Sequence, residues 1–134
     1  GERDAAAEVF GEASADGGAT MLHPETNLLW VDLERGDEAT VEARLRALLA
    51  LVRSGDLGAA SCSHVAGLLE ERGRGRQALR WFTIPLRDLD PEEADGVDEV
   101  CITGRARVRR ELGLPADRWD EVAEQITAAW AAEG

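Results

Sequence analysis

The sequence predicts an all-α fold of about six or seven helices arranged as hairpins. Leu and Ala, which are strong helix formers, dominate an apolar content of 44%, and Tyr is absent. Apolar residues recur at steps of three and four in most segments, and glycines separate those segments. With 134 residues, the chain is long enough to bury a core as a single domain without a disulfide or a metal.

The first 20 residues are predicted to form a loosely attached arm. The segment 24–53 follows and is predicted to be a first helix hairpin. Its first helix begins at Thr26, whose hydroxyl can accept from a free backbone N–H, and ends at Gly36. Its second helix covers 37–53, where one apolar stripe indicates a core-facing side. The residues of that stripe are Val41, Leu45, Leu48, Leu49 and Val52.

A second hairpin is predicted over 58–91. Ser61 or Ser63 can cap its first helix. Its second helix is expected over 77–88, but Pro85 lies inside that pattern, so the helix should kink or end there. The inward positions of this hairpin are Cys62, Val65, Ala66, Leu69, Ala78, Leu79, Phe82 and Leu86.

A C-terminal helix pair is predicted over 97–132, after an acidic loop. Its first helix ends at Gly113, and Pro115 is expected in the first turn of the second helix. The second helix carries Trp119, Val122, Ala123, Ile126 and Trp130 on one face. Across the whole chain, the residues predicted to be buried are Leu45, Leu48, Ala78, Phe82, Trp119 and Ile126.

The first two hairpins repeat each other at a spacing of 37 residues, with Gly36 opposite Gly73 and Leu45 opposite Phe82. Asp32 falls opposite the apolar Leu69, where a core residue would be expected. A single hairpin has too little apolar surface to fold alone, so such units are expected to stack.

The second hairpin contains the run HVAGLLEERGRGRQALRWFTIPLRDLDP, which resembles a tetratricopeptide repeat. Ala66 and Ala78 stand at its small packing positions, Gly73 at its turn and Phe82 at its aromatic position. Pro85 departs from the pattern, because a small helix former is usual there. The resemblance implies a tetratricopeptide-like array of helix hairpins that binds protein or peptide segments.

The C-terminal third contains the run ITGRARVRRELGLPADRWDEVAEQI, which is similar to the end of actinobacterial tetratricopeptide-like proteins that often carry a SEC-C motif. The resemblance covers roughly 58–126, about half the chain. The zinc-binding Cys and His cluster of the SEC-C motif is missing, so the resemblance implies no metal site. It informs the fold more than the function, because that family has no well-defined activity.

Charge is the feature that bears on partners. The net charge of −12 argues against nucleic acid and against anionic membrane surfaces as partners. The segment 44–87 is nevertheless basic, and Arg residues cluster at the second hairpin turn and in the next helix. Since guanidinium groups bind carboxylates through paired hydrogen bonds, an acidic segment of a partner is expected to bind Arg74, Arg76, Arg105 and Arg109. Alternatively, these arginines pair with the chain's own acids, such as Glu70, Glu71 and the loop over 88–99.

No catalytic motif, cofactor fingerprint or metal-ligand cluster is present in the sequence, so no catalytic residue, no cofactor and no metal are predicted. Cys62 and His64 stand two residues apart and would not face each other on a helix. The predicted function is a non-catalytic adaptor or regulatory module that binds protein or peptide. The alternatives are a small acidic inhibitor or immunity-type protein that blocks a basic partner and, after it, a small enzyme. The absence of a signal peptide and of a long apolar run predicts a cytoplasmic location.

Overall fold

The computed structural model describes residues 22–133, and helices account for 78% of them. Six α-helices and no strand are present in this part of the chain, which confirms the all-α class. The helices are α1 (Glu25–Arg35), α2 (Glu38–Arg53), α3 (Ala59–Glu71), α4 (Gly75–Thr83), α5 (Gly96–Glu111) and α6 (Arg118–Glu133). Two single-turn 3₁₀ helices, Ile84–Leu86 and Pro91–Glu93, lie between α4 and α5. The arm predicted over the first 20 residues lies outside the described residues.

The chain divides into two compact units, and the division falls inside α3. The described residues up to His64 belong to the first unit, and those from Val65 onward belong to the second.

The first unit contains the α1–α2 hairpin. Gly36 ends α1 with a left-handed φ of 71°, and Asp37 caps α2 by accepting from the Ala39 N–H and the Thr40 hydroxyl. Asp32, which interrupts the repeat pattern, is buried and accepts from Arg44 Nε at 2.9 Å. An intra-hairpin ion pair therefore occupies the position where the repeat would place an apolar residue.

Three of the predicted helix starts are wrong. Thr26 lies inside α1, and its hydroxyl donates to the His23 carbonyl at 2.7 Å instead of capping the helix. Ser61 and Ser63 lie inside α3, and the Ser61 hydroxyl accepts from the His23 N–H at 2.9 Å. The hydroxyls of Thr26 and Ser61 therefore bond to His23 and do not cap a helix.

The third wrong start concerns α6, which begins at Arg118 rather than at Pro115. Asp117 and Asp120 fix this start reciprocally. The Asp117 N–H donates to Asp120 Oδ2 at 2.9 Å, and the Asp120 N–H donates to Asp117 Oδ1 at 3.0 Å. This paired capping satisfies donors that have no partner inside the helix, which is the role of a capping box.

The second unit contains the end of α3 together with α4, α5 and α6. As predicted from Pro85, the α-helical conformation of α4 ends at Thr83 and continues as a single 3₁₀ turn. The Phe82 ring lies directly against Gly104 of α5. Leu86, Cys101, Ile102 and Ala123 form a buried cluster between these elements.

The predicted core is confirmed in part. Leu45, Leu48, Ala78 and Phe82 are buried, whereas Trp119 and Ile126 are half-buried, so the prediction is wrong in degree for these two. Both pack against the buried cluster and remain partly exposed. Trp81 is also buried, although it lies outside the inward positions expected from the sequence.

Candidate interaction surface

Two of the predicted partner-binding arginines, Arg105 and Arg109, lie one turn apart on α5 and face the start of α6. Arg105 donates two hydrogen bonds to Asp117, at 2.7 and 3.1 Å. Arg109 donates from Nε to Asp120 Oδ2 at 3.0 Å and from Nη2 to the Pro115 carbonyl at 2.7 Å. The arrangement is a four-residue charge cluster that joins the end of α5 to the beginning of α6.

Electrostatics and burial indicate that this cluster is structural. The Arg105 guanidinium, with its paired hydrogen bonds, holds the pKa of the Asp117 carboxyl well below its usual range. Arg105 itself is buried, so removing its counter-charges would leave an uncompensated guanidinium in the interior. The geometry therefore favours the alternative in which these two arginines pair with the chain's own acids.

The acids involved are not those of the loop over 88–99. Asp90 and Asp95 of that loop serve as helix caps, with Asp90 accepting from the Glu92 N–H at 3.1 Å and Asp95 accepting from the first turn of α5. Glu70, another acid expected from the sequence to pair with these arginines, does bind an arginine of α5. It accepts two hydrogen bonds from Arg107, at 2.6 and 2.7 Å.

Arg74 and Arg76 occupy a different position, at the start of α4. Arg74 is the half-buried N-cap residue, and its Nη1 donates to Gln77 Oε1 at 3.1 Å, while Arg76 is exposed. A Cβ placed on Gly75 would lie 3.4 Å from Leu112 Cδ2, so this turn packs beside the C-terminal end of α5. Of the four predicted residues, Arg105 and Arg109 are therefore bound at the start of α6, whereas Arg74 and Arg76 lie at the α4 turn.

A groove of about 690 Å³ runs between α5 and α6. The charged residues that α5 contributes to it, Arg107 and Arg110, are basic, and those that α6 contributes, Asp120 and Glu124, are acidic. The groove therefore has one basic edge and one acidic edge. Its remaining lining is mainly alanine, with Leu114 and Trp130 as the large apolar side chains.

Trp130 and Leu114 are exposed by 42% and 39%, and both line the groove, so they place apolar surface inside a concave site. Sequence reasoning placed Trp130 on the buried stripe, because it stands four residues after Ile126. The residues after Ile126 in α6 are all exposed, however, so the stripe is not covered at its end. A signal was available in the sequence, since Ala128, Ala131 and Ala132 surround Trp130 and leave it without large apolar neighbours.

His23 and Cys62, whose side-chain types serve in catalysis elsewhere, have structural surroundings in this fold. His23 Nδ1 accepts from the Glu25 N–H at 3.1 Å at the start of α1. Cys62 is buried, and this burial raises the pKa of its thiol to about 11, so the reactive thiolate is scarce at neutral pH. Within residues 22–133, no group of three or more His, Cys, Asp or Glu side chains is placed to hold a metal ion.

Comparisons of the chain with protein-family models, with curated proteins and with solved structures find no match in any of the three. None of the helices within the described part of the chain is both long and apolar enough to cross a membrane.

Proposed function

We propose that this chain is a non-catalytic, tetratricopeptide-like module that binds a segment of another protein. The observation that carries the proposal is the open groove between α5 and α6, where Leu114 and Trp130 expose apolar surface beside charged edges. Aromatic side chains that are exposed in a concave surface dominate the binding energy of many protein interfaces.

Arg74 and Arg76 support the same function at a second place. Arg76 is exposed, and no side chain of residues 22–133 caps α4, so the first turn of this helix can accept a carboxylate from a partner. Arg105 and Arg109 are not part of the proposal, because Asp117 and Asp120 already bind them. We therefore propose that an acidic segment binds at the α4 turn through Arg74 and Arg76.

The experiment compares two exposed tryptophans. Immobilised wild-type protein, Trp130→Ala and the matched control Trp30→Ala are used to capture proteins from the cells that make the chain. Trp30 is exposed by 50% and belongs to α1, outside the groove. We expect Trp130→Ala to lose most of the captured protein and Trp30→Ala to retain it, with similar thermal midpoints for all three. Equal capture by the two variants would contradict a binding role for the groove.

A second variant tests the α4 turn. Reversing Arg74 and Arg76 to Glu should weaken capture strongly while the thermal midpoint stays nearly unchanged. A midpoint that drops by many degrees, with capture per folded molecule unaltered, would show that these arginines are structural.

A further inference from the structure

We infer that the α5–α6 groove binds one amphipathic helix of another protein. Carboxylates lie along one flank of the apolar stripe of that helix, and basic residues lie along the other flank. We further infer that these flanks fix the direction in which the helix lies. The inference rests on the proposed binding function and specifies the chemistry of the partner at that site.

The two groove edges carry opposite charge, and one residue on each edge is available to a partner. Arg107 is already bound by Glu70, and Asp120 is already bound by Arg109. For the exposed Arg110 and Glu124, in contrast, residues 22–133 provide no ion-pair partner. A partner that places a carboxylate beside Arg110 and a cation beside Glu124 would complete both edges.

The shape of the groove suits a helix. The 16 residues of α6 extend over about 24 Å, and the groove reaches from the α5–α6 connection to the last turn of α6. Its floor includes Ala106 and Ala123, whose small side chains allow a third helix to approach closely. Leu114 and Trp130 lie towards opposite ends and provide an apolar contact at each end.

A second copy of the chain is a less suitable occupant than a different protein. The net charge of −12 makes two copies repel each other, although salt screens this repulsion beyond about 10 Å. A partner helix with mixed flanks is attracted locally by both edges and is not subject to that repulsion.

The direction of the bound helix follows from geometry. A helix that is turned end to end while its stripe still faces the groove exchanges its two flanks. In one direction the carboxylates face Arg110 and the cations face Glu124, and in the other direction each charge meets a like charge. Like-charge contacts destabilise binding, so the groove selects one direction.

Three synthetic helical peptides of about 16 residues with one Ala and Leu stripe serve as probes. The mixed peptide has Glu on one flank and Lys on the other, and the two controls have Lys on both flanks or Glu on both. We expect calorimetry to show the mixed peptide binding about fivefold or more tightly than either control. Arg110→Glu should weaken the mixed peptide by about fivefold or more, whereas the control Arg87→Glu, an exposed residue outside the groove, should not.

The exchanged variant, Arg110→Glu with Glu124→Arg, tests the direction. It should restore the affinity for the mixed peptide while reversing its orientation. In the wild type, a nitroxide at the peptide N-terminus would broaden the NMR signals at one end of the groove only. The signals to follow are the Trp130 indole at one end and the Leu114 methyls at the other. In the exchanged variant the same label should broaden the opposite end.

Several results would overturn the inference. One is equal affinity for the three peptides. Another is that Arg110→Glu weakens binding no more than Arg87→Glu does. A third is that the nitroxide broadens signals at the same groove end in the exchanged variant as in the wild type. A chain that sediments as a dimer, binds no peptide and becomes monomeric on Trp130→Ala would show that a second copy occupies the groove. If Trp130→Ala abolishes protein capture but the peptides show no charge preference, the inference fails and the proposed function stands. If Trp130→Ala leaves protein capture unchanged and the peptides also show no charge preference, the proposed function fails as well.

Discussion

Gly104 is the position where one methyl group should disturb the second unit most. Its missing side chain provides the space for the Phe82 ring, which is buried. A Cβ placed on Gly104 would lie 2.5 Å from Phe82 Cζ and 2.9 Å from Phe82 Cδ1. Carbon atoms in favourable contact are about 3.5–4.0 Å apart, so the ring would have to retreat by about 1 Å into a packed core.

The expected cost of Gly104→Ala follows from two opposing effects. Overpacking of this kind destabilises a protein by about 1–3 kcal/mol, and a rigid ring facing the new methyl favours the upper part of that range. Replacing Gly by Ala inside a helix stabilises it by about 1 kcal/mol. We therefore expect the free energy of unfolding to fall by about 1–2 kcal/mol.

Gly67 provides a matched control in the same unit. It lies inside α3, and a Cβ placed there would meet no atom within 4 Å. Gly67→Ala should therefore stabilise the protein by about 0.5–1 kcal/mol through helix propensity alone. The two substitutions are chemically identical, so the difference between them isolates the contact with Phe82.

Urea denaturation followed by circular dichroism at the helix band measures both variants. A third variant, Phe82→Leu, removes part of the ring, and in that background Gly104→Ala should cost about 1 kcal/mol less than in the wild type. If Gly104→Ala is as stable as Gly67→Ala, or if Phe82→Leu does not reduce its cost, the ring does not pack against Gly104 as described.

Three further predictions concern single side chains. Because Arg105 lowers the pKa of Asp117 in the folded protein, this carboxylate stabilises the fold above its unfolded pKa of about 3.9, and the contribution is lost as the pH falls. Asp117→Asn should therefore flatten the decrease in unfolding free energy below about pH 4 in acid titrations followed by circular dichroism, and an unchanged pH profile would contradict the ion pair. Cys62 should react with a thiol reagent much more slowly than free cysteine at pH 8 and at the normal rate in urea, whereas rapid labelling of the native protein would show that it is accessible. Asp37→Ala should cost about 1 kcal/mol in urea denaturation, because it removes the cap of α2, and Asp37→Ser should recover most of that loss.

Helix ends were easier to predict than helix starts. Gly36, Gly73 and Gly113 have φ values of 71°, 73° and 73°, a conformation that side chains disfavour, so glycine marks these turns directly in the sequence. Thr26 and Ser61 carry hydroxyls that suit a cap, but the same hydroxyls can bond elsewhere in the fold, and here they do. A start signal therefore depends on tertiary partners that the sequence does not show.

For the arginines, the sequence predicted that acids of the same chain could be their partners, but not which acids. Charge patterns indicated that the chain's own acids could bind Arg105 and Arg109, but local composition pointed to the dense acidic loop. The pairs that form instead use two aspartates spaced three residues apart, after a short connection that brings them beside arginines spaced four apart. The groove was missed because the periodicity of α6 continues to Trp130, although nothing in the described part of the chain covers it there.

The ion pairs of α5 differ in how much chain they enclose, and this difference bears on the order of folding. The contact between Arg105 and Asp117 spans 12 residues, whereas that between Arg107 and Glu70 spans 37. Short loops close faster and lose less entropy, so the α5–α6 hairpin can form before α3 reaches it. Weakening the pair at Asp117 should then slow refolding, while weakening the pair at Glu70 should mainly accelerate unfolding. Arg105 would then mainly affect the rate of folding and Arg107 mainly the rate of unfolding, although the two lie half a turn apart on one helix.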